Sequence, residues 1–160
     1  MPSAPAAPSA ATKAETAAKE ASSVLSDKNR KHLYEGEIHP KRGNSTGWNY
    51  EPTGHREKGT YVIEGTRSPP DEHGVYEANV MIEGVKKKSR SLFFPDDWTT
   101  EQVDSAVREA YRDKKRYKET ERLRGDSASG LEIEMTLDQD GAVDRIYPVY
   151  KGPKYEGPKK

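Results

Sequence analysis

Apolar and polar positions alternate through Tyr76, Ala78, Val80 and Ile82, the period-two pattern of a strand with one buried face. Glu83-Gly84 supplies a turn and Val85 to Phe94 a returning strand, so this stretch predicts a β-hairpin. "PDDW" then breaks the sheet, and the period changes. Val103, Ala106, Val107 and Ala110 recur at helical spacing, and Thr99 with Gln102 fits a capping box, predicting a helix that runs to Tyr117. Past a polar loop, Leu131, Ile133, Met135 and Leu137 alternate again, and "DQDG" turns the chain into a last strand, Val143 to Tyr150. Upstream, Lys28 to Ile38 reads as the end of a helix stopped near Gly36. Between Pro40 and His73 glycine and proline punctuate the chain, leaving one good strand, Thr60 to Gly65. The sum is an α+β fold: an N-terminal helix, then an antiparallel sheet of roughly four or five strands, with one helix crossing between two hairpins.

Composition sharpens the boundaries. Only 31% of the 160 residues are hydrophobic, and 34% are charged. Residues 1–22 account for much of the deficit, being almost wholly Ala, Pro, Ser and scattered charge. Such a segment buries too little apolar area to offset its ordering entropy, so it reads as a linker, disordered or loosely helical. The globular domain is expected over residues 23–151, and 152–160 as a disordered tail. No apolar run resembles a secretion signal or reaches the ~20 residues of a membrane span, so no membrane anchor is expected. The absence of cysteine excludes disulfides, thiolate metal sites and a cysteine nucleophile.

Net charge is zero, yet charge is segregated. Lys86, Lys87, Lys88 and Arg90 form one basic cluster, and Arg112, Lys114, Lys115, Arg116 and Lys118 another. Asp126 to Asp144 carries six acidic residues and no basic one. Segregation of this kind builds either solvated faces or a local phosphate-attracting surface. Among catalytic patterns, the four histidines show no helical zinc-site pairing, and no serine elbow, P-loop or dinucleotide fingerprint occurs. No metal or cofactor is implied. What remains suits acid–base work on a phosphodiester: histidines in a loop-rich region, lysines on a strand, and tyrosines on the last strand. Cleavage of RNA needs a base for the 2′-hydroxyl, an acid for the leaving oxygen, and a cation for the phosphorane.

The order of "HLYEGEI", "TGWNYEPTG", "TRSPPDEHGVYEANV", "SRSLFFPDDWTTEQV" and "SGLEIEMTLDQDGAVDRIYPVY" resembles the bacterial EndoU nuclease domain, from His32 to Tyr150. "SLFFPDDW" followed by a capped helix is the most specific element. The resemblance implies a barnase–EndoU–RelE-like fold. It also implies a metal-independent endoribonuclease toxin that leaves a 2′,3′-cyclic phosphate on RNA, tRNA being one possible substrate. Such domains end polymorphic secreted effectors, so an upstream delivery domain, action in the cytoplasm of a target cell and a cognate immunity protein are implied too.

Residue by residue, His32 matches the family's first catalytic histidine. Asn49 stands where the second is expected and, with Trp48 in "GWNY", is expected to contact substrate, and His55 is the nearest substitute proton carrier. The family's lysine falls before "SLFFP", at Lys88 or Arg90, with Ser91 a phosphate contact. Tyr147 matches the tyrosine that stacks on or orients the substrate base. Arg145 replaces the usual Thr or Ser and would hold a phosphate. The departures at Asn49 and Arg145 leave two alternatives open: a catalytically impaired RNA- or protein-binding module, and a nuclease of altered chemistry such as a deoxyribonuclease.

Overall fold

The computed structural model describes residues 24–116 and 122–153. The linker expected over 1–22, Tyr117 and Lys118, and most of the expected tail lie outside the described residues. Ser26 opens helix α1 (Asp27–Tyr34) by accepting from the Asn29 amide, and Asp27 complements the positive end of the helix dipole. Gly36, at φ +74, takes the left-handed conformation that ends it. Helix α2 (Thr100–Asp113) begins with the expected capping box between Thr99 and Gln102. It stops at Asp113, before the predicted end. Tyr34 and Arg30 of α1 both bind Asp104 of α2, at 2.6 and 2.8 Å, tying the two helices together.

Two short strands, β1 (Glu37–Ile38) and β2 (Ser45–Thr46), pair antiparallel after α1. The expected strand at Thr60 shortens to β3 (Tyr61–Val62). The expected hairpin is broken into β4 (Tyr76–Ala78), β5 (Val80–Ile82), β6 (Val85–Lys86) and β7 (Ser91–Phe93). β5 joins β6 and β3, while β4 pairs only with β7. The break falls at Asn79, whose amide turns to Thr66 Oγ1 (3.1 Å) and whose carbonyl accepts from Ile63 (2.9 Å). Alternation survives the break: Tyr76, Ala78, Val80 and Ile82 are all buried, packed with Trp48 and Phe93 in one apolar cluster.

The main sheet is four-stranded and antiparallel, in the order β11 (Val143–Pro148), β10 (Glu132–Leu137), β9 (Arg122–Asp126) and β8 (Lys115–Arg116). β8 and β9 replace part of the predicted helix and polar loop. One face carries Ile133, Met135 and Ile146 onto α2, whose Val103, Ala106, Val107 and Ala110 are all buried there. The architecture is α+β, with α2 crossing the back of the sheet and α1 packed on β11. Asn29 anchors that contact through Nδ2 to the Val143 carbonyl at 2.8 Å.

Gly125 in β9 sets how closely α2 approaches. A Cβ there would sit 1.9 Å from the Ala110 carbonyl oxygen, inside any allowed contact. Gly125→Ala is expected to destabilise the fold by at least about 2 kcal/mol in urea unfolding; a loss below about 0.5 kcal/mol would contradict this packing.

Candidate active site

The face of the main sheet opposite α2 is polar. Alternation places Arg145 and Tyr147 of β11, Glu134 and Thr136 of β10, and Arg122 and Arg124 of β9 on it. Register aligns Tyr147 with Glu134 and Arg124 in one row, and Arg145 with Thr136 and Arg122 in the next. This face, the end of α1 and the loop after β6 enclose an open cleft of ≈ 560 Å³ lined by His32, Lys87, Arg122, Arg124, Arg145 and Tyr147, among others.

His32 occupies the last turn of α1 and is buried. Its Nδ1 lies 3.2 Å from Glu37 Oε2. A neutral imidazole facing a carboxylate carries its proton on that nitrogen, which leaves Nε2 as the basic atom. Burial pushes the His32 pKa below its ordinary 6.5; the Glu37 carboxylate opposes the shift, while the Lys87 and Arg145 charges add to it. Lys87 reaches back into the structure, donating to the Gly47 carbonyl at 3.1 Å and to Ser91 Oγ at 2.9 Å. Burial, with a smaller contribution from the Arg145 charge, lowers its pKa from 10.5 to about 8.

The peptide between Gly47 and Trp48 joins these two groups. Its carbonyl takes the Lys87 ammonium, and its N–H donates to the His32 carbonyl at 2.7 Å. Asn49 N–H follows, donating to the Leu33 carbonyl at 2.6 Å, so the "GWN" segment caps the C-terminal end of α1. Only glycine fits at 47: φ is +86, and a Cβ would lie 2.3 Å from the His32 carbonyl oxygen. Trp48, at φ +63, is a non-glycine in the left-handed region, its indole fully buried edge-on to Phe93.

The structure brings His32, Asn49, Arg90, Arg145 and Tyr147 to the cleft and leaves other expected residues away from it. Lys88 is exposed and absent from the lining, so Lys87 stands where Lys88 was expected. The physical reason is that β6 ends at Lys86 and residues 87–90 loop across to β7, so strand alternation does not carry through. His55 is exposed beside a 3-10 turn and lines a separate depression with Lys31 and Lys58. It does not share the cleft that Asn49 lines. Trp48 is core rather than a substrate contact. Ser91 is fully buried, donating to Gly47 and accepting from Lys87. Arg90 borders the cleft, but it clamps the break at Asn79 by bonding Glu77, Asn79 Oδ1 and the Thr66 carbonyl. Asn49 donates Nδ2 to the Leu92 carbonyl at 2.8 Å, holding β7 against the α1 cap.

Tyr147 donates its hydroxyl to Glu134, and burial together with that bond raises its pKa, so it stays neutral. Arg122, Arg124, Glu134 and Glu37 were not singled out from the sequence. "ERLRGD" contains one apolar residue and reads as loop; only the Arg-Leu-Arg alternation hints at a strand. Among the described residues no three His, Asp or Glu side chains converge to hold a metal ion, and no helix is long and apolar enough to cross a membrane.

Comparison with known proteins gives a consistent relationship. The family described as Bacterial EndoU nuclease matches residues 26–150. A protein named Toxin from Bacillus cereus is 30% identical over 121 residues, covering 74% of this chain and 22% of that relative. The chain therefore spans about a fifth of the curated relative it matches. No solved structure gives a significant match.

The depressed Lys87 pKa carries a stability consequence. Below about pH 8 the folded protein holds a half-buried, partly desolvated ammonium that the unfolded chain solvates freely, and the penalty vanishes above 10.5, where both states are neutral. Lys87→Met is expected to raise unfolding stability at pH 7 by about 1 kcal/mol, with the gain shrinking between pH 8 and 10.5. A variant less stable than the native protein at pH 7 contradicts the assignment.

Proposed function

The chain belongs to the bacterial EndoU nuclease family, and from that premise we propose that it is the RNA-cleaving domain of a toxin, working by transesterification without a metal ion. The observation that carries this reading is a buried histidine and a half-buried lysine held on one peptide at the edge of an arginine-lined cleft. Their protonation preferences straddle neutrality, as an acid–base pair requires. His32 Nε2 takes the proton of the ribose 2′-hydroxyl. The 2′-oxygen attacks the adjacent phosphorus and the bond to the 5′-oxygen breaks. Lys87 donates a proton to that leaving oxygen, giving a 2′,3′-cyclic phosphate and a free 5′-hydroxyl. Arg145 offsets charge on the phosphorane oxygens. Lys87 thereby takes the role expected of a second histidine, with Asn49 serving the scaffold.

The similarity to a larger toxin supports a domain carried by an upstream delivery region into the cytoplasm of a target cell. A cognate immunity protein covering the cleft would protect the producer. One observation favours a second reading, an RNA-binding module without turnover: of the histidines among the described residues, only His32 lines the cleft.

Cleavage of RNA in EDTA separates the two. The proposed function predicts cyclic-phosphate ends, their loss in His32→Ala, and a bell-shaped pH–rate profile whose alkaline limb falls near pH 8 as Lys87 loses its proton. Lys87→Arg keeps the charge but cannot release a proton, so it should remove that limb and lower the rate by roughly 10²- to 10⁴-fold. RNA bound but left intact, or full activity in His32→Ala, overturns the nuclease reading.

A further inference from the structure

Glu134 lies in the floor of the cleft with a side-chain exposure of 3%. A carboxylate is an unfavourable neighbour for a polyanion, and a buried one is costly unless its oxygens are occupied. Both are. Arg124 Nε donates to Oε1 at 2.8 Å, and the Tyr147 hydroxyl donates to Oε2. Arg122 lies 3.7 Å from Oε2 and is the most exposed of the group, at 55%. These partners come from the strands on either side of β10, so the carboxylate organises the cleft rather than one strand. Because the Tyr147 proton is committed to Glu134, the phenol offers its ring to a ligand and not a hydrogen-bond donor.

On the basis of the nuclease reading, we propose that Glu134 is a positioning residue for single-stranded RNA. It fixes Tyr147 as a stacking surface for one unpaired base and orients Arg122 and Arg124 toward a neighbouring phosphate. A base in a duplex cannot reach such a ring, which selects for unpaired segments. Since the hydroxyl is turned away, Tyr147 accepts any base.

The experiment is equilibrium binding of an uncleavable single-stranded 2′-O-methyl RNA to the full chain and its Glu134→Gln variant. It is combined with NMR titration of the Tyr147 phenol and with steady-state cleavage. If Glu134 were only a surplus anion, removing its charge would tighten binding of a polyanion. The positioning role predicts the opposite: binding about tenfold weaker, a phenol ionising at lower pH than in the native protein, and kcat at saturating RNA changed less than about twofold. Equal or tighter binding by Glu134→Gln overturns the proposal, as does an unmoved phenol titration. Should that variant fail to fold, Tyr147→Phe, which keeps the ring and frees Oε2, must weaken binding about threefold or more, and unchanged binding again overturns it. Weakened binding in a chain that cleaves nothing overturns the nuclease reading alone, a native protein that cleaves RNA without binding the probe overturns the positioning proposal alone, and neither binding nor cleavage overturns both.

Discussion

One peptide plane, between Gly47 and Trp48, is the contact on which the rest of the cleft depends. Its N–H satisfies the His32 carbonyl at the C-terminal end of α1, and its C=O holds the Lys87 ammonium and the Ser91 hydroxyl. A helix end, a core tryptophan and a catalytic lysine candidate are thus registered by groups that cannot move independently. The geometry demands a glycine pressed against the helix and a tryptophan in a left-handed conformation. Burial of the indole against Phe93 offsets that backbone cost of roughly 1–2 kcal/mol.

The second organising force is electrostatic. Basic residues from β9, β11 and the loop after β6 converge although the chain is neutral, because sheet register collects charges distant in sequence. The acidic run from Asp126 to Asp144 is dispersed by the same register. Glu134 pairs with Arg124 inside the cleft, Asp144 bonds Thr136, and Asp138 closes the turn before β11. What remains is a positive floor with its anion already neutralised. The half-buried ammonium of Lys87, its pKa lowered by desolvation, is held at a cost to stability.

Period-based reasoning read the elements whose burial is one-sided. The α2 stripe, the alternations at Tyr76–Ile82 and Leu131–Met135, and the capping box at Thr99 are all found. It failed where hydrogen bonding, not burial, decides. β9 is polar on its cleft face and has Gly125 on the other, so it shows little apolar signal. The chain between β6 and β7 loses its strand parity in the loop at 87–90, which exchanged Lys87 for Lys88. His55 is near Asn49 in sequence, but the 3-10 turn at Glu51–Thr53 intervenes and His55 lines a different depression. The side chains of "GWNY" are mainly scaffold, and its backbone does the positioning.

The most direct measurement is an NMR titration of the His32 imidazole and the Lys87 side-chain ammonium in the native chain. Lys87 should titrate near pH 8, and His32 below 6.5 with its neutral form protonated on Nδ1. A Lys87 that titrates at its ordinary 10.5, or a His32 whose neutral form carries the proton on Nε2, contradicts an acid–base pair held on the Gly47–Trp48 peptide.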